Sequence, residues 1–359
     1  MTTEINKVAV IGAGVMGAGI AAHVANAGIP VVLLDIVPKD APANKRSAIA
    51  EGAVAKMLKA DPAPFMHKRN AKLITTGNLE DNLDLISDCD WVIEAIIENL
   101  AIKQDLYRKL ESVRKPGSML SSNTSTIPMN DLMDGMADEF AKNFMITHFF
   151  NPPRYMRLLE IAYGDQTDMD AVSVVRDFSD KKLGKGVVVC KDTPGFIANR
   201  IGIYWIQVAV QEAFNMGLTV EEADAVVGRP MGIPKTGVFA LSDLVGLDLL
   251  PHLMESMERT LPASDPMMQR LEIPELITNM IADGYTGRKG KGGFYRLNRA
   301  GGKKVKESVD LQTGEYAPST KARLASIKAS RKGGLQALVS HEDKGGQYAW
   351  SVLSQVLSY

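Results

Sequence analysis

The first two hundred residues alternate between short apolar runs and longer stretches with helical spacing. Lys7-Val-Ala-Val-Ile11 is apolar and β-branched, the pattern of a strand buried on both faces. Ala18 to Ala27 reads as an apolar helix closed by Gly28 as its C-cap. Val31-Val-Leu-Leu34 predicts a second strand, Pro42 to Lys59 a helix, and Trp91 to Ile97 a strand and its end. An amphipathic helix follows over Ile102 to Val113, then a short strand at Met119-Leu120 that runs into polar Ser121-Ser-Asn-Thr-Ser125. Phe144 to Thr147 predicts another strand, ending at His148. Met156 to Ile161 and Val187 to Val189 are strand-like, and a long apolar helix runs from just after Gly195 to about Gly217. Strands alternating with helices predict a doubly wound α/β sheet, and ligands of such sheets bind beyond the carboxyl ends of the strands. Glu98, Asn123, Ser125 and His148 follow strand ends and are expected to converge on one crevice.

Composition narrows the class. The chain has 359 residues, 45% hydrophobic and 23% charged, which suits a globular chain of about two domains and excludes a disordered tail or a collagen-like fibre. Lys plus Arg number 41 against 42 Asp plus Glu, so no overall charge favours nucleic acid or an anionic membrane as partner. Cys89 and Cys190 lie far apart without a partner motif, which fits a reducing compartment. No apolar run approaches the ~18 residues of a membrane span. The N-terminus shows no secretory pattern either, so a cytoplasmic protein is expected.

The first strand leads directly into Gly12-Ala-Gly14-Val15-Met16-Gly17, and the second strand ends in Asp35. Strand, GxGxxG, helix, strand and acid in this order form the dinucleotide-binding fingerprint. Gly12 permits the tight turn, Gly14 lets a pyrophosphate approach the backbone, and Gly17 lets helix and strand pack closely. The helix N-terminus offers free N–H groups to phosphate. Asp35 suits the adenosine ribose hydroxyls and would repel a 2′-phosphate, so NAD is expected rather than NADP.

Among the histidines, His148 stands apart. It ends a buried strand and precedes Phe149-Phe150-Asn151-Pro152-Pro153, whose prolines fix the exit path. It is a candidate general base, with a structural histidine as the alternative. Glu160 sits among apolar residues and needs a partner. A pair with His148 would fix the imidazole tautomer and favour the imidazolium, whereas a bridge to a nearby cation such as Arg157 is the other option. Asn199 follows Thr193-Pro194-Gly195 in the first turns of the long helix, where it faces an interdomain cleft or is simply a helix-start polar residue.

Taken together, GAGVMG at 12–17, VIEAIIENL at 92–100, SSNTST at 121–126, HFFNPP at 148–153, CKDTPGFIANR at 190–200 and GRKGKGGFY at 287–295 resemble the L-3-hydroxyacyl-CoA dehydrogenase family over about residues 5–297. The resemblance implies an α/β Rossmann-type NAD domain followed by an all-α C-terminal domain. It implies His148 as catalytic base, Glu160 as its partner, and Ser125 and Asn199 as groups that hydrogen-bond the substrate oxygens. Gly12, Gly14, Val15, Met16, Gly17, Asp35 and Ala95 are implied to contact NAD, and Glu98, Lys103, Asn123 and Asn151 to line its nicotinamide half or the substrate. The implied reaction is oxidation of a (3S)-3-hydroxyacyl-CoA in fatty acid β-oxidation. A dehydrogenase of a free hydroxy acid or sugar acid, or a non-catalytic NAD-binding protein, are the alternatives. No metal site is assigned.

The expected boundaries are 1–189 for the NAD domain, 190–297 for the helical domain, and 298–359 for a basic linker and the start of a second, incomplete helical repeat, as at the start of the second C-terminal repeat of multifunctional β-oxidation enzymes. From Gly284 to Lys306 there are eight Lys or Arg and no acid, read as a solvated linker, with a contact to the phosphates of CoA as the alternative. The final helix, ending at Tyr359, has an apolar face with no evident partner, which suggests a piece of a longer polypeptide. The resemblance implies an acyl-CoA as substrate and a homodimer through the helical domain, or pairing of that domain with a further repeat. The loop Pro230 to Asp243 is longer than the family's Pro-Met-Gly-Pro turn and leaves acyl-chain preference open.

Overall fold

The computed structural model describes residues 4–299 and 302–359. The chain forms two compact units, one ending at Ile197 and one from Ala198 to Tyr359.

The first unit is built on eight strands: β1 Val8–Ile11, β2 Val31–Asp35, β3 Ile74–Asn78, β4 Trp91–Glu94, β5 Met119–Ser122, β6 Phe144–Phe149, β7 Leu158–Ala162 and β8 Gly186–Cys190. Their order in the sheet is β3-β2-β1-β4-β5-β6-β7-β8. The first six run parallel in the order of a dinucleotide-binding sheet. Helices α1 Val15–Asn26, α2 Ala48–Met57, α3 Leu100–Glu111, α4 Met129–Met133, α5 Asp138–Asn143 and α6 Met169–Lys181 complete the unit. Strands β1, β4, β5 and β6 are buried throughout, because apolar clusters cover both faces of the sheet. Three buried polar side chains stitch β4, β5 and β6 together: Trp91 Nε1 donates to Ser121 Oγ at 2.9 Å, which lies 2.7 Å from Thr147 Oγ1.

Several details depart from the sequence-based expectation. Strand β3 arises from Ile-Thr-Thr-Gly-Asn, too polar to signal a strand, and occupies an edge where half-exposure is tolerated. His148 lies inside β6 rather than after it, because pairing with β7 extends the ladder through Phe149. The β6–β7 pair is antiparallel, so the sheet is mixed. The boundary expected at 189 falls within β8, whose parallel pairing with β7 keeps it in the first unit.

The second unit is mainly helical: α7 Ala198–Asn215, α8 Val220–Val226, α9 Phe239–Val245, α10 Leu249–Thr260, α11 Glu275–Ala282, α12 Ala325–Val339 and α13 Lys344–Ser358. It also holds a small antiparallel sheet of β9 Tyr295–Asn298, β10 Val305–Val309 and β11 Tyr316–Pro318. The basic stretch expected to be a solvated linker is therefore corrected: its ends are paired strands, Val305 opposite Asn298. The window counted from the sequence stopped one residue short of Glu307, which holds Arg296 at 2.7 Å, while Tyr316 offers its ring face to the same guanidinium at 3.8 Å. For residues 300 and 301 the linker expectation lies outside the described residues. The expected unpartnered face of the last helix is also corrected. Tyr348, Ala349 and Val352 of α13 are fully buried in the unit's core, and the Tyr348 hydroxyl donates to the Ala209 carbonyl of α7 at 2.8 Å.

Two buried carboxylates tie this unit together. Asp224 accepts from Phe239 N, Ala240 N and the Tyr295 hydroxyl, and Asp243 accepts from Phe294 N and Tyr295 N. Burial outweighs these donors and pushes Asp224 up to about 7 and Asp243 up to about 6. A carboxyl whose folded pKa is raised binds more protons folded than unfolded between about pH 4 and 7, so its contribution to stability falls across that window. The stability of wild type minus that of Asp224→Asn is expected to fall by a few kcal/mol from pH 4 to 7 and then level off. Urea unfolding followed through the pH series checks the sign.

Candidate active site

The carboxyl end of β1 turns directly into α1. Gly12 has φ +101°, and a Cβ there would meet the Ala95 carbonyl oxygen at 2.5 Å. A Cβ on Gly17 would lie 1.8 Å from the Gly12 oxygen, so the loop and α1 pack without room for a side chain. Gly14 faces open space, with nothing within 4 Å of its Cβ position. It also starts α1, and no side chain caps that N-terminus. Approach room and uncapped N–H groups are what a pyrophosphate requires. Asp35 at the end of β2 is fixed against the same loop, accepting from Ala13 N at 2.5 Å and Ile36 N at 2.6 Å. Val15 at the start of α1, and Ile36 and Ile97 just past β2 and β4, are 70%, 61% and 64% exposed, an apolar rim fit for the flat faces of a dinucleotide. Met16 is half-buried against the core. Ala95 N donates to Ile11 O, holding the end of β4 beside the glycine turn. The first unit thus fits a bound dinucleotide. Ile36 and Ile97 were not singled out from the sequence; their signal is an apolar residue standing free just past a buried strand.

Beneath this rim lies a buried polar network. Glu94, fully buried at the end of β4, accepts from Lys103 Nζ at 2.6 Å, the Tyr107 hydroxyl at 2.8 Å, Ser122 Oγ at 2.6 Å and Ile96 N at 2.8 Å. Burial, and next the Glu94 charge, raises the Tyr107 phenol well above its ordinary range, so it stays a donor. Lys103, 1% exposed, is shared between Glu94 and Glu98, the latter at 3.3 Å. Its ammonium is committed to two carboxylates, so it orients Glu98 from below. Burial works against the Glu98 charge, but the Thr124 hydroxyl, Lys103, the Thr126 hydroxyl and Ser125 N outweigh it and hold the carboxyl below its usual range. Glu98 thereby pins the turn that carries Ser125. Asn123 links β5 to β6 by accepting from Phe149 N at 2.9 Å. Glu94 was missed because it reads as part of an apolar strand; an acid between Ile93 and Ala95 was the signal.

His148 and Glu160 are direct cross-strand partners in the antiparallel β6–β7 pair. Neighbours of this kind project to the same face, and Nδ1 of His148 lies 2.8 Å from Glu160 Oε2. Glu160 Oε1 accepts from Ile197 N at 3.1 Å, and the two side chains are 7% and 1% exposed. A carboxylate can only accept, so Nδ1 carries a proton, and in the neutral imidazole the lone pair is then on Nε2. Nε2 makes no hydrogen bond among the described residues. The rings of Phe150 and Phe196 flank the imidazole, with centroids at 4.5 and 5.4 Å. Of the two partners the sequence offered Glu160, His148 is the one at ion-pair distance, 2.8 Å away.

Lys185, which sequence reasoning overlooked, sits under the turn after β6. Its ammonium donates to the Pro153 and Met156 carbonyls, and burial lowers its pKa to about 8. Asn151 is exposed at that turn. Burial raises both thiols, Cys89 and Cys190, to about 12, which keeps them protonated and poor nucleophiles. Asn199 belongs to the second unit, as the second residue of α7, and is half-buried.

Comparison with known proteins shows the family. The NAD-binding domain of 3-hydroxyacyl-CoA dehydrogenase matches residues 7–193, and the C-terminal domain of the same enzyme matches residues 195–297. The chain belongs to the 3-hydroxyacyl-CoA dehydrogenase family, and its first unit is an NAD-binding domain. A probable 3-hydroxyacyl-CoA dehydrogenase of Bacillus subtilis is 40% identical over 100% of this chain and 47% of its own length. One from Deinococcus radiodurans is 46% identical over 82% of this chain and 84% of its own. The crystal structure of Mycobacterium tuberculosis FadB2 covers 82% of this chain and 100% of its own, with TM-score 0.68 and 31% identity. The chain thus spans about half the length of the Bacillus relative. No helix among the described residues is long and apolar enough to cross a membrane.

Proposed function

We propose that this chain oxidises the hydroxyl of a (3S)-3-hydroxyacyl-CoA to the 3-oxoacyl-CoA, as a step of fatty acid β-oxidation. The observation that carries this reading is the His148–Glu160 pair, with one imidazole nitrogen tied to a buried carboxylate and the other left as a base. Bound NAD⁺ supplies the hydride acceptor. His148 Nε2 takes the hydroxyl proton as the C3–H hydride leaves, and Glu160 stabilises the imidazolium across the 2.8 Å contact. The hydroxyl of Ser125 hydrogen-bonds a substrate oxygen. The Glu98 carboxylate keeps the Ser125 turn in place, and Asn123 and Asn151 flank the nicotinamide half of the cofactor site. In reverse, the imidazolium returns its proton to the oxygen as the 3-oxo group is reduced.

This reading also places the protein in the cytoplasm and pairs two copies through the helical unit, or pairs that unit with a further repeat. The bacterial relatives and the two free thiols support the first, and the family's behaviour the second. The test is NADH formation when (3S)-hydroxybutyryl-CoA and NAD⁺ are mixed with the protein, beside free 3-hydroxybutyrate and beside NADP⁺. Turnover of the thioester with NAD⁺ alone is expected. Turnover of the free acid with none of the thioester would replace this reading with that of a hydroxy-acid dehydrogenase.

A further inference from the structure

A cavity of about 860 Å³ opens in the second unit, lined by none of the residues assigned above to catalysis or NAD binding. Its size is that of a small-molecule pocket, and cationic side chains are prominent among the residues that line it. Arg229, Lys235, Arg288, Lys306, Lys321 and Arg331 all line it. They come from the turn after α8, the basic motif after α11, strand β10, the segment after β11, and α12. Distant parts of the chain thus bring six cations to one concavity.

None of the six forms an ion pair with a carboxylate among the described residues. Two carboxylates share the wall and leave the six cations in excess. Glu221 accepts from the Ser308 hydroxyl and Thr320 N, and Asp224 accepts from two backbone N–H groups and the Tyr295 hydroxyl. Lys306 rests over the Tyr295 ring, 3.7 Å from its centroid, which holds its charge at the cavity wall. Like charges facing one space repel and oppose folding, so the arrangement is stabilised when an anion of several charges fills it. A carboxylate or dicarboxylate would neutralise only one or two of the six. Phosphate groups carry more charge in less volume and match the guanidinium fork.

We propose that this cavity binds a small phosphate-rich anion, a nucleoside polyphosphate or a free inorganic polyphosphate. Arg288 and Lys306 of the basic stretch, together with Arg229, Lys235, Lys321 and Arg331 from outside it, form a receptor for phosphate. The site lies wholly within the second unit and does not depend on the proposed dehydrogenase reaction.

The test is calorimetric titration of the whole chain with ATP and, separately, with inorganic triphosphate. NAD⁺ is kept saturating so that the glycine loop cannot report adenine nucleotide. One-site binding that weakens steeply with added salt is expected for at least one of the two. Tighter binding of ATP identifies the nucleotide as the source, and equal binding identifies the phosphate chain alone; either supports the site. Lys235 and Arg331 make no hydrogen bond or ion pair among the described residues, so Lys235→Gln/Arg331→Gln keeps the fold. It is expected to weaken binding by about tenfold or more while raising the thermal midpoint of the ligand-free chain, because repulsion is relieved. Lys109→Gln in the first unit is expected to leave binding unchanged. Absence of binding by both ligands at low salt, or binding indifferent to the double substitution, overturns the proposal.

Discussion

Replacing His148 by glutamine is expected to lower kcat for (3S)-hydroxybutyryl-CoA oxidation by about 10²–10⁴-fold, roughly 3–5 kcal/mol of transition-state stabilisation. Glutamine fills a similar volume and can still donate to Glu160, so the β6–β7 pair survives. It has no nitrogen that can take a proton, and the alkoxide must form unaided. Glu160→Gln is expected to act through the other end of the pair. An amide can accept from Nδ1–H, but it cannot balance the imidazolium, and its NH₂ group can instead turn toward the ring and favour the wrong tautomer. The same carboxylate holds Ile197 N, so Glu160→Gln disturbs the chain just before the second unit as well. Because the two residues act as one device, the double variant is expected to lose little more than His148→Gln alone. NADH affinity is expected to stay within a few-fold of wild type in all three, since the glycine loop follows β1 and Asp35 ends β2, whereas His148 and Glu160 lie on β6 and β7. Steady-state kinetics with fluorescence titration of NADH separates the two quantities. Near-normal turnover in His148→Gln would end the proposed mechanism.

How legible this was in the sequence depends on whether the signal was local. The cofactor loop was fully legible, because strand, glycines, helix and acid occur within thirty residues and each glycine answers a steric demand at its own position. The pairing of His148 with Glu160 was legible only as one of two options. Their contact depends on the antiparallel register of β6 and β7, which a twelve-residue separation does not specify. Glu94 was hidden because its partners come from α3 and β5, elements that meet it only through the sheet order. The second unit was the least legible. Arg296 and Lys306 looked like charges on a linker until β9 and β10 paired, and the apolar side of α13 lacked a partner until it met α7 across more than a hundred residues. Local pattern names the elements; long-range pairing decides which charges and faces are satisfied.

Lys103→Met is expected to cause the largest loss of stability in the first unit, about 3–5 kcal/mol. The substitution keeps the apolar stem and removes only the ammonium. Glu94 then remains fully buried, with donors from Tyr107, Ser122 and Ile96 but no counter-charge. Removing one partner of a buried pair leaves an uncompensated charge in a medium that solvates it poorly. For a unit of this size the expected fall in thermal midpoint is roughly 6–20 °C. Breaking the exposed pair Arg108–Asp105 on the same helix is expected to cost no more than about 1 kcal/mol, since water takes over both charges. Adding Glu94→Gln to Lys103→Met is expected to recover much of the loss, because the neutral amide needs no counter-charge and still accepts from Tyr107. Calorimetry of the single and double variants gives the coupling directly. A second consequence follows from Glu98, which loses its cation at 3.3 Å and with it part of the hold on the Ser125 turn. In the folded fraction of Lys103→Met, KM for the acyl-CoA is therefore expected to rise more than the dissociation constant of NADH. If both the midpoint and KM stayed at wild-type values, the network under the cofactor rim would carry neither the stability nor the positioning assigned to it.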